Sequence, residues 1–150
     1  MKKTPEEYMR LALDEAELAY QENEVPIGAI VVLNDEVIGR GHNKRESTSL
    51  VTSHAEIEAI KEASKKIGSW KLDNAEIYVT IEPCPMCSYA IIDSHMKKLY
   101  YGAKDLKRGA VSKLDIFNQN LGKKVLVCGN ILEEESREIM ERFFKDLRKK

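Results

Sequence analysis

Residues 76–87 read EIYVTIEPCPMC and join a strand pattern directly to a pair of cysteines. The first six residues are rich in β-branched and aromatic side chains, which predicts a strand over 76–81. Two prolines then bracket Cys84, and helical spacing follows over 86–94. Because proline is tolerated in the first turn of a helix, Cys84 and Cys87 are expected near a helix start that directly follows a strand.

The flanking sequence predicts an α/β fold, in which strands alternate with helices. This order implies a sheet covered by helices on both faces, with sites at strand ends where helices begin. A chain of 150 residues with 43% hydrophobic side chains has the size and core of one domain, spanning 1–150. The predicted elements are helices over 5–20, 53–67, 86–94 and 132–147 and strands over 26–33, 37–42, 76–81, 98–102 and 125–128.

Two helix starts carry a capping pattern. Thr4 and Glu7 match a capping box for the first helix. Ser53 and Glu56 show the same pattern, so the second helix is expected to begin there, after a polar loop over 43–52.

Composition and cysteine usage narrow the class of protein. Charged residues make up 33% of the chain and leave a net charge of −1, which excludes a wholly basic nucleic-acid coat protein and a disordered chain. Three cysteines, two of them in a C-x-x-C step, favour a metal or redox site in a reducing compartment over a disulfide framework. No apolar signal core and no run of roughly 20 apolar residues is present, so a cytoplasmic protein without a membrane partner is expected.

One imidazole and two thiolates form the candidate metal ligands. His54, Cys84 and Cys87 are a soft ligand set that suits Zn²⁺ and leaves the fourth tetrahedral position open for a catalytic water. Zinc lowers the pKa of such a water toward about 7 and so generates a hydroxide nucleophile. Glu56 lies two residues after His54 on the same helix start, so we expect it to shuttle protons.

Each half of this pattern has another interpretation. A lone C-x-x-C is typical of redox motifs and of structural zinc sites, whereas the combination with His54 and Glu56 in the predicted context favours catalysis. A non-catalytic zinc-binding interaction module stays open, and it requires a fourth protein ligand. Cys128 is the only spare thiol, and its apolar strand favours a buried, packing role. Trp70 is likewise expected to pack, after the helix that ends near Gly68.

Eight basic side chains and only two acidic ones occur between residues 97 and 124. Such a stretch is usually a solvated surface, but at the mouth of a site it would meet phosphates of RNA, as would the basic chain end. The basic residues are Lys97, Lys98, Lys104, Lys107, Arg108, Lys113, Lys123 and Lys124, and at the chain end Lys145, Arg148, Lys149 and Lys150.

The H-A-E and P-C-x-x-C pair resembles the zinc signature of the cytidine deaminase superfamily. Within it, the surrounding segments resemble the tRNA-specific adenosine deaminases over most of the chain. The similar segments are EVPIGA (24–29), GHN (41–43), HAEI (54–57), YVTIEPCPMC (78–87), YGAKD (101–105) and FF (143–144).

This resemblance implies a cytidine-deaminase-like three-layer α/β/α fold with a five-stranded mixed sheet. It further implies a homodimer that deaminates the wobble adenosine in a tRNA anticodon stem-loop to inosine, with one Zn²⁺ per subunit. The zinc ligands map onto His54, Cys84 and Cys87, and the proton shuttle maps onto Glu56. The substrate contacts map onto Asn43, Ile27, Ile81 and Asp105, and a tRNA-contacting element maps onto Phe144, Arg148 and Lys149.

Two segments depart from the family pattern. Leu50-Val51-Thr52-Ser53 stands where members usually read Asp-Pro-Thr-Ala, and residues 113–124 lack the usual Gly-Ser-Leu and Asn-His-Arg elements. The same motif pair also serves deaminases of free guanine or cytosine bases and nucleosides, so a small-substrate deaminase is the alternative at this point.

Overall fold

The computed structural model describes residues 2–119 and 124–149, and its elements follow the predicted order. The predicted strand over 76–81 has those bounds, and the other predicted boundaries shift by no more than two residues. In chain order the elements are α1 (Pro5–Gln21), β1 (Gly28–Leu33), β2 (Glu36–His42), α2 (Arg45–Thr48), α3 (Ala55–Ile67), β3 (Glu76–Ile81), α4 (Pro85–Asp93), β4 (Lys98–Ala103), a 3₁₀ helix (Ile116–Asn118), β5 (Leu126–Cys128) and α5 (Glu133–Arg148).

The five strands form one mixed sheet in the order β2-β1-β3-β4-β5. Strand β1 is antiparallel to β2 and to β3, whereas β3, β4 and β5 are parallel. The start of β1 therefore lies at the same edge of the sheet as the ends of β2, β3 and β4. The register pairs Gly28 with His42 and Ile81 with Ala103 at this edge, so the segments that follow these strands meet there.

Helices cover both faces of the sheet, which confirms the predicted three-layer arrangement. Because successive side chains of a strand point to opposite faces, β1 supplies both cores, with Val31 toward α3 and α4 and Ile30 toward α1. Tyr78 of β3 stacks on Tyr100 of β4 on the α1 side, with ring centroids 4.3 Å apart. Both cores are made of buried side chains, which gives the sheet edge a rigid base.

Glycine lets α3 approach the sheet closely. A Cβ atom at Gly41 of β2 would lie 2.5 Å from the carbonyl oxygen of Ala55 and 2.5 Å from the amide nitrogen of Ala59. Only glycine fits this contact between backbones. The first turn of α3, which follows His54, is thereby held against the end of β2 that leads into Asn43.

The predicted loop over 43–52 contains one short helix, α2, which the sequence pattern does not reveal. Its four residues are too few for an apolar periodicity to develop. Thr4 and Glu7 form the predicted capping box of α1. Across the part of the chain that the structure describes, each helix is too short or too polar to span a bilayer.

Candidate metal centre and substrate cavity

Two helix N-termini bring the predicted ligands together. His54 is the N-cap residue of α3, Cys84 is the N-cap residue of α4, and Cys87 lies in the first turn of α4. Neither N-cap side chain bonds its own helix, so both are available to a ligand. The Nδ1 atom of His54 lies 3.6 Å from the sulfur of Cys84 and 3.5 Å from the sulfur of Cys87.

These spacings fit a tetrahedral metal. Zn–S bonds of about 2.3 Å and Zn–N bonds of about 2.0–2.1 Å place the nitrogen and sulfur ligands of tetrahedral zinc about 3.5 Å apart. In residues 2–119 and 124–149, His54, Cys84 and Cys87 form the one cluster of three or more ligand side chains, with all ligand atoms within 4.8 Å of one another. The donor set and its geometry therefore match a metal site with three protein ligands.

The pKa of the Cys84 thiol is low enough for the thiolate to form at neutral pH. A hydrogen bond from Cys87 and another from His54 lower the pKa of Cys84 to about 4, against the opposing effect of burial. The thiolate, and not the thiol, is the metal ligand. All three cysteines are free.

Glu56 lies beside the ligands in the first turn of α3, with only 4% of its surface exposed. Burial raises the pKa of its carboxyl to about 7. A carboxyl with a pKa near neutrality both accepts and donates protons at physiological pH, as a general acid–base requires.

The predicted capping box at Ser53 and Glu56 is wrong. His54, and not Ser53, is the N-cap residue, and Ser53 accepts a hydrogen bond from Thr48. Glu56 therefore does not reach back to cap the helix. The prediction failed because a Glu three residues after a Ser fits a capping box. Here the same Glu56 lies beside the candidate metal ligand His54 instead.

A cavity of about 190 Å³ opens over this centre. Seven of the eight predicted site residues line it, and the eighth, Cys87, is fully buried next to Cys84. Six further residues line the cavity that the sequence analysis did not assign to the site. The predicted residues are Ile27, Asn43, His54, Glu56, Ile81, Cys84 and Asp105, and the further ones are Val25, Arg45, Ala55, Glu82, Arg108 and Met140.

Asn43 is 6% exposed and is held at the cavity wall from two sides. Its amide nitrogen donates to the carbonyl oxygen of Val25 at 3.4 Å, and its amide oxygen accepts from the backbone nitrogen of Arg45 at 3.2 Å. Asp105 accepts backbone hydrogen bonds from Lys107 and Arg108 at 2.9 and 3.0 Å, which closes a tight turn at the opposite wall.

Two buried glutamates support this cavity, and sequence reasoning missed both. Glu24 is 1% exposed and Glu82 is 2% exposed. Each glutamate is followed within two residues by a proline of a site motif. In both motifs the neighbouring residues have the more recognisable site chemistry, so the glutamate itself was not selected. The sequence did contain a signal for both glutamates. Each is a charged residue beside the end of a predicted strand and shortly before predicted site residues.

The basic stretch divides between the two edges of the sheet. Lys98 begins β4 and pairs in register with Leu126, so Lys97, Lys98 and Lys124 lie at the edge away from the cavity. Their predicted place at the mouth of the site is therefore wrong, because a six-residue strand separates them from it. Lys104, Lys107 and Arg108 follow the end of β4 and are exposed beside the cavity. Lys123 and Lys150 lie outside the described residues.

Four other residues have mixed outcomes. Cys128 is half-buried against the tyrosine side of the sheet, in the predicted packing role. Phe143 is buried and Phe144 is 39% exposed, so the pair faces the core with one ring. Trp70 is 63% exposed, its ring meets the His95 ring edge-on at a centroid distance of 5.5 Å, and the Lys71 ammonium lies over it, 5.5 Å from the ring centroid. Its predicted packing is therefore wrong.

Nearly the whole chain matches a deaminase family. Residues 3–148 match the MafB19-like deaminase family, which places the fold and its ligand cluster in the cytidine-deaminase-like class. A solved structure from studies of A-to-I editing by tRNA:A34 deaminases at the wobble position of transfer RNA is 44% identical. Its TM-score against this protein is 0.86, and the match covers 89% of this chain and 98% of the solved chain.

Curated relatives narrow the class to one family. The tRNA-specific adenosine deaminase of Bacillus subtilis (strain 168) is 42% identical over 145 residues, covering 95% of this chain and 90% of the relative. The enzyme of that name from Rickettsia felis is 45% identical over 144 residues, covering 93% of this chain and 100% of the relative. The chain belongs to the family of the tRNA-specific adenosine deaminases.

Proposed function

We propose that this protein hydrolytically deaminates the wobble adenosine of a tRNA to inosine, using one Zn²⁺ per subunit. The family supports the reaction. The observation that carries the proposal is the meeting of His54, Cys84 and Cys87 with the buried acid Glu56 at one cavity. The candidate ligands and the proton carrier thus come from two distant segments, residues 54–56 and 84–87, and further segments of the chain complete the cavity.

Zinc is the metal that the ligand set favours. One nitrogen and two sulfur donors at tetrahedral spacing are typical of catalytic zinc sites with an open fourth position. When bound, zinc lowers the pKa of a coordinated water toward about 7 and so supplies the nucleophile. A structural zinc site would use a fourth protein ligand, and in the described residues the cluster has three.

Glu56 moves the protons of the reaction. Its carboxylate takes a proton from the attacking water and gives it to the ring nitrogen next to the carbon that bears the amine. The water oxygen bonds to that carbon, and Glu56 then takes the second proton from this oxygen and delivers it to the exocyclic amine as the carbon–nitrogen bond breaks. Ammonia and inosine are the products, and Glu56 ends in its starting protonation state.

The cavity walls position the base. At about 190 Å³ the cavity is smaller than the roughly 300–1,000 Å³ of a pocket for a drug-sized ligand, which suits one base and not a folded RNA. Ile27 and Ile81 supply apolar walls, and Asn43 supplies a polar group with a fixed orientation. Asp105 lies where the nucleotides next to the flipped base would pass.

Basic side chains beside the cavity favour an anticodon stem-loop as the substrate. Lys104, Lys107 and Arg108 follow β4, and Arg45 lines the cavity from the side of α2. A free base such as guanine or cytosine offers no phosphate to these cations, whereas RNA does. We place the reaction in the cytoplasm, since the free cysteines suit a reducing compartment.

We further propose a homodimer of single-domain subunits, each spanning residues 1–150. The family resemblance implies the dimer. In support, Leu50, Val51 and Leu106 are 54%, 69% and 74% exposed on the segments next to the cavity. Apolar side chains this exposed are typical of surfaces that a protein partner covers. Light scattering of the purified protein tests the subunit number.

The substrate assignment is tested with an anticodon stem-loop that contains a wobble adenosine. Zinc-loaded protein should produce inosine, detected by mass spectrometry of the nuclease-digested RNA. A stem-loop with guanosine at that position is the matched control. Parallel reactions with free adenosine, guanine, cytosine and cytidine test the small-substrate alternative. Turnover of a free base, without inosine formation in the RNA, would reject the proposal.

Salt dependence adds an independent measurement. RNA binding through phosphates weakens steeply as salt rises, because counterions are released on binding. The KM for the stem-loop should therefore rise with salt, whereas turnover of a neutral free base should respond little. A salt-independent KM for the RNA would remove the basic residues from substrate binding.

A further inference from the structure

Two segments form the rim of the substrate cavity, one after β2 and one after β4. The first rim segment, residues 43–48, contributes Asn43 and Arg45 to the cavity lining. The second rim segment, residues 105–112, contributes Asp105 and Arg108. Strands β1 and β3 lie between β2 and β4 in the sheet, so the two rim segments face each other across the cavity.

Glu82 holds the second rim segment. One of its carboxylate oxygens accepts from the backbone nitrogen of Asp105 at 3.1 Å. The other accepts from the backbone nitrogens of Val111 and Ser112 at 2.9 and 2.7 Å. The Ser112 hydroxyl lies 2.9 Å from both oxygens. A carboxylate has about four acceptor sites, so the loop consumes the acceptor capacity of Glu82.

Glu24 holds the first rim segment in the same way. Its carboxylate accepts from the backbone nitrogens of Glu46 at 3.0 Å and Ser47 at 2.6 Å, and from the Ser47 hydroxyl. The α2 turn held by these bonds presents the Arg45 nitrogen to the side-chain oxygen of Asn43. The orientation of Asn43 therefore depends on Glu24 through α2.

The backbone near Glu82 is adapted to this contact. A Cβ atom at Gly109 would lie 2.3 to 2.4 Å from the carboxylate atoms of Glu82. Glycine at this position allows the loop to close over the carboxylate. Burial of an acceptor that is fully hydrogen-bonded stabilises one loop position, whereas a buried acceptor without partners would be costly.

We propose that Glu24 and Glu82 are positioning residues that set the width of the substrate cavity by fixing its two rim segments. They act on the substrate through Asn43 and Asp105 and do not touch the reacting atoms. This inference rests on the proposed function. It predicts that their loss weakens the binding of the RNA more than it slows the chemical step, because the metal ligands and Glu56 belong to other segments.

The test compares Glu24→Gln and Glu82→Gln with the wild-type protein on the anticodon stem-loop. In each variant an NH₂ group replaces one carboxylate oxygen, and this group donates hydrogen bonds but does not accept them. It therefore faces the donors of Ser47 or Ser112 without bonding them, so these rim hydrogen bonds are lost while the size of the side chain is kept. We expect KM to rise about tenfold in each variant, the size of effect of one lost charged hydrogen bond, while kcat changes by less than about threefold. Metal content should stay at one ion per chain.

Milder variants keep the test decisive if a Gln variant does not fold. Ser47→Ala and Ser112→Ala each remove one hydroxyl donor from an exposed residue and leave the backbone donors in place. We expect KM to rise about threefold in each. The matched control is Glu76→Gln at the far end of β3, whose carboxylate contacts Lys97 at 4.0 Å and no rim segment. It should leave KM unchanged.

Hydrogen exchange supplies a readout that activity does not determine. The amides of residues 105, 111 and 112 should exchange faster in the Glu82 variants, and those of 46 and 47 in the Glu24 variants, with β3 and β4 unchanged. Faster exchange of the rim with an unchanged KM would overturn the proposal. Equal loss of metal and activity would also overturn it, because it would assign these residues to the metal centre.

The inference and the proposed function fail separately. If the wild-type protein leaves the wobble adenosine intact, the proposed function is wrong, whatever the variants do. If the wild-type protein forms inosine and the serine variants bind the RNA as tightly as it does, only the role of Glu24 and Glu82 is wrong.

Discussion

The ring nitrogen Nδ1 of His54 lies 3.5 Å from the sulfur of Cys87, across 33 residues of chain. Each residue belongs to the N-terminal end of a different helix, and the sheet edge beneath holds both helices in place. Side chains from rigid elements keep their spacing without a metal, which lowers the cost of binding one.

Substitution of a cysteine ligand should remove the metal. Cys87→Ser replaces a soft, fully buried donor by a harder and shorter one. We expect metal content to fall well below one ion per chain and turnover to fall by at least about 100-fold, since the nucleophile is lost. Elemental analysis and inosine formation measure these effects. Cys128→Ser, on β5, is the control, and equal metal loss in that variant would contradict the assigned ligand set.

Removal of the Glu56 acid should stop the chemistry and spare the metal. Glu56→Gln keeps the shape of the side chain, but the amide neither takes up nor releases a proton near neutral pH. We expect kcat to fall by about 10²- to 10⁴-fold, the usual range for loss of a general acid–base, with metal content unchanged. Glu62→Gln, exposed on the same helix, should behave as the wild-type protein. A Glu56→Gln variant with full activity would exclude Glu56 from proton transfer.

The Asn43 amide should contribute to substrate binding. Asn43→Ala leaves a cavity-lining position without a polar group and frees the Arg45 backbone nitrogen of its partner. We expect KM for the stem-loop to rise about tenfold or more, because a hydrogen bond to the base is lost. Steady-state kinetics check this. Asn118→Ala, exposed on the 3₁₀ helix, should leave KM unchanged.

His42 should make the stability of the fold depend on pH. Its ring nitrogens lie 2.9 Å from a Glu15 oxygen and 3.0 Å from a Glu22 oxygen. The hydrogen bond with Glu15 raises the pKa of His42 above its ordinary 6.5, against the opposing effect of burial, and the same bond lowers the pKa of Glu15 below 4.5. Both the His42 ring and the Glu15 carboxylate are therefore ionised between about pH 4.5 and 6.5.

The stability that the His42–Glu15 pair contributes should fall as the pH rises above 6.5. Stabilisation by protonated His42 is complete below pH 6.5 and is lost as the pH rises through the raised pKa. Stabilisation by Glu15 is lost only as the pH falls below 4.5 through the lowered pKa. From pH 6 to pH 9 the wild-type protein should lose about 1 kcal/mol of unfolding free energy relative to His42→Gln, a small value because Glu22 is exposed. Denaturant unfolding at both pH values measures the difference, and parallel pH profiles would contradict it.

Local patterns were sufficient to predict the five strands and the four longer helices, and to single out the candidate metal ligands that the fold brings together. Strand β3 has its predicted bounds because six consecutive strand-forming residues end at a proline-bounded motif. The ligands His54, Cys84 and Cys87 were predicted because donor type and spacing are properties of the chain itself. The Ser53 capping box failed because a cap and a site residue can satisfy the same spacing, and only the fold selects between them.

Thus the sequence by itself determined the order of the strands and longer helices, the chemical nature of the candidate metal ligands and the presence of an acid next to one of them. The tertiary structure alone decided that Lys98 lies away from the cavity, that His42 pairs with Glu15, and that Glu24 and Glu82 hold the rim. The physical reason is range. Propensity and ligand chemistry act within a few residues, whereas these partners are brought together only by strand register and by helices packed on the sheet.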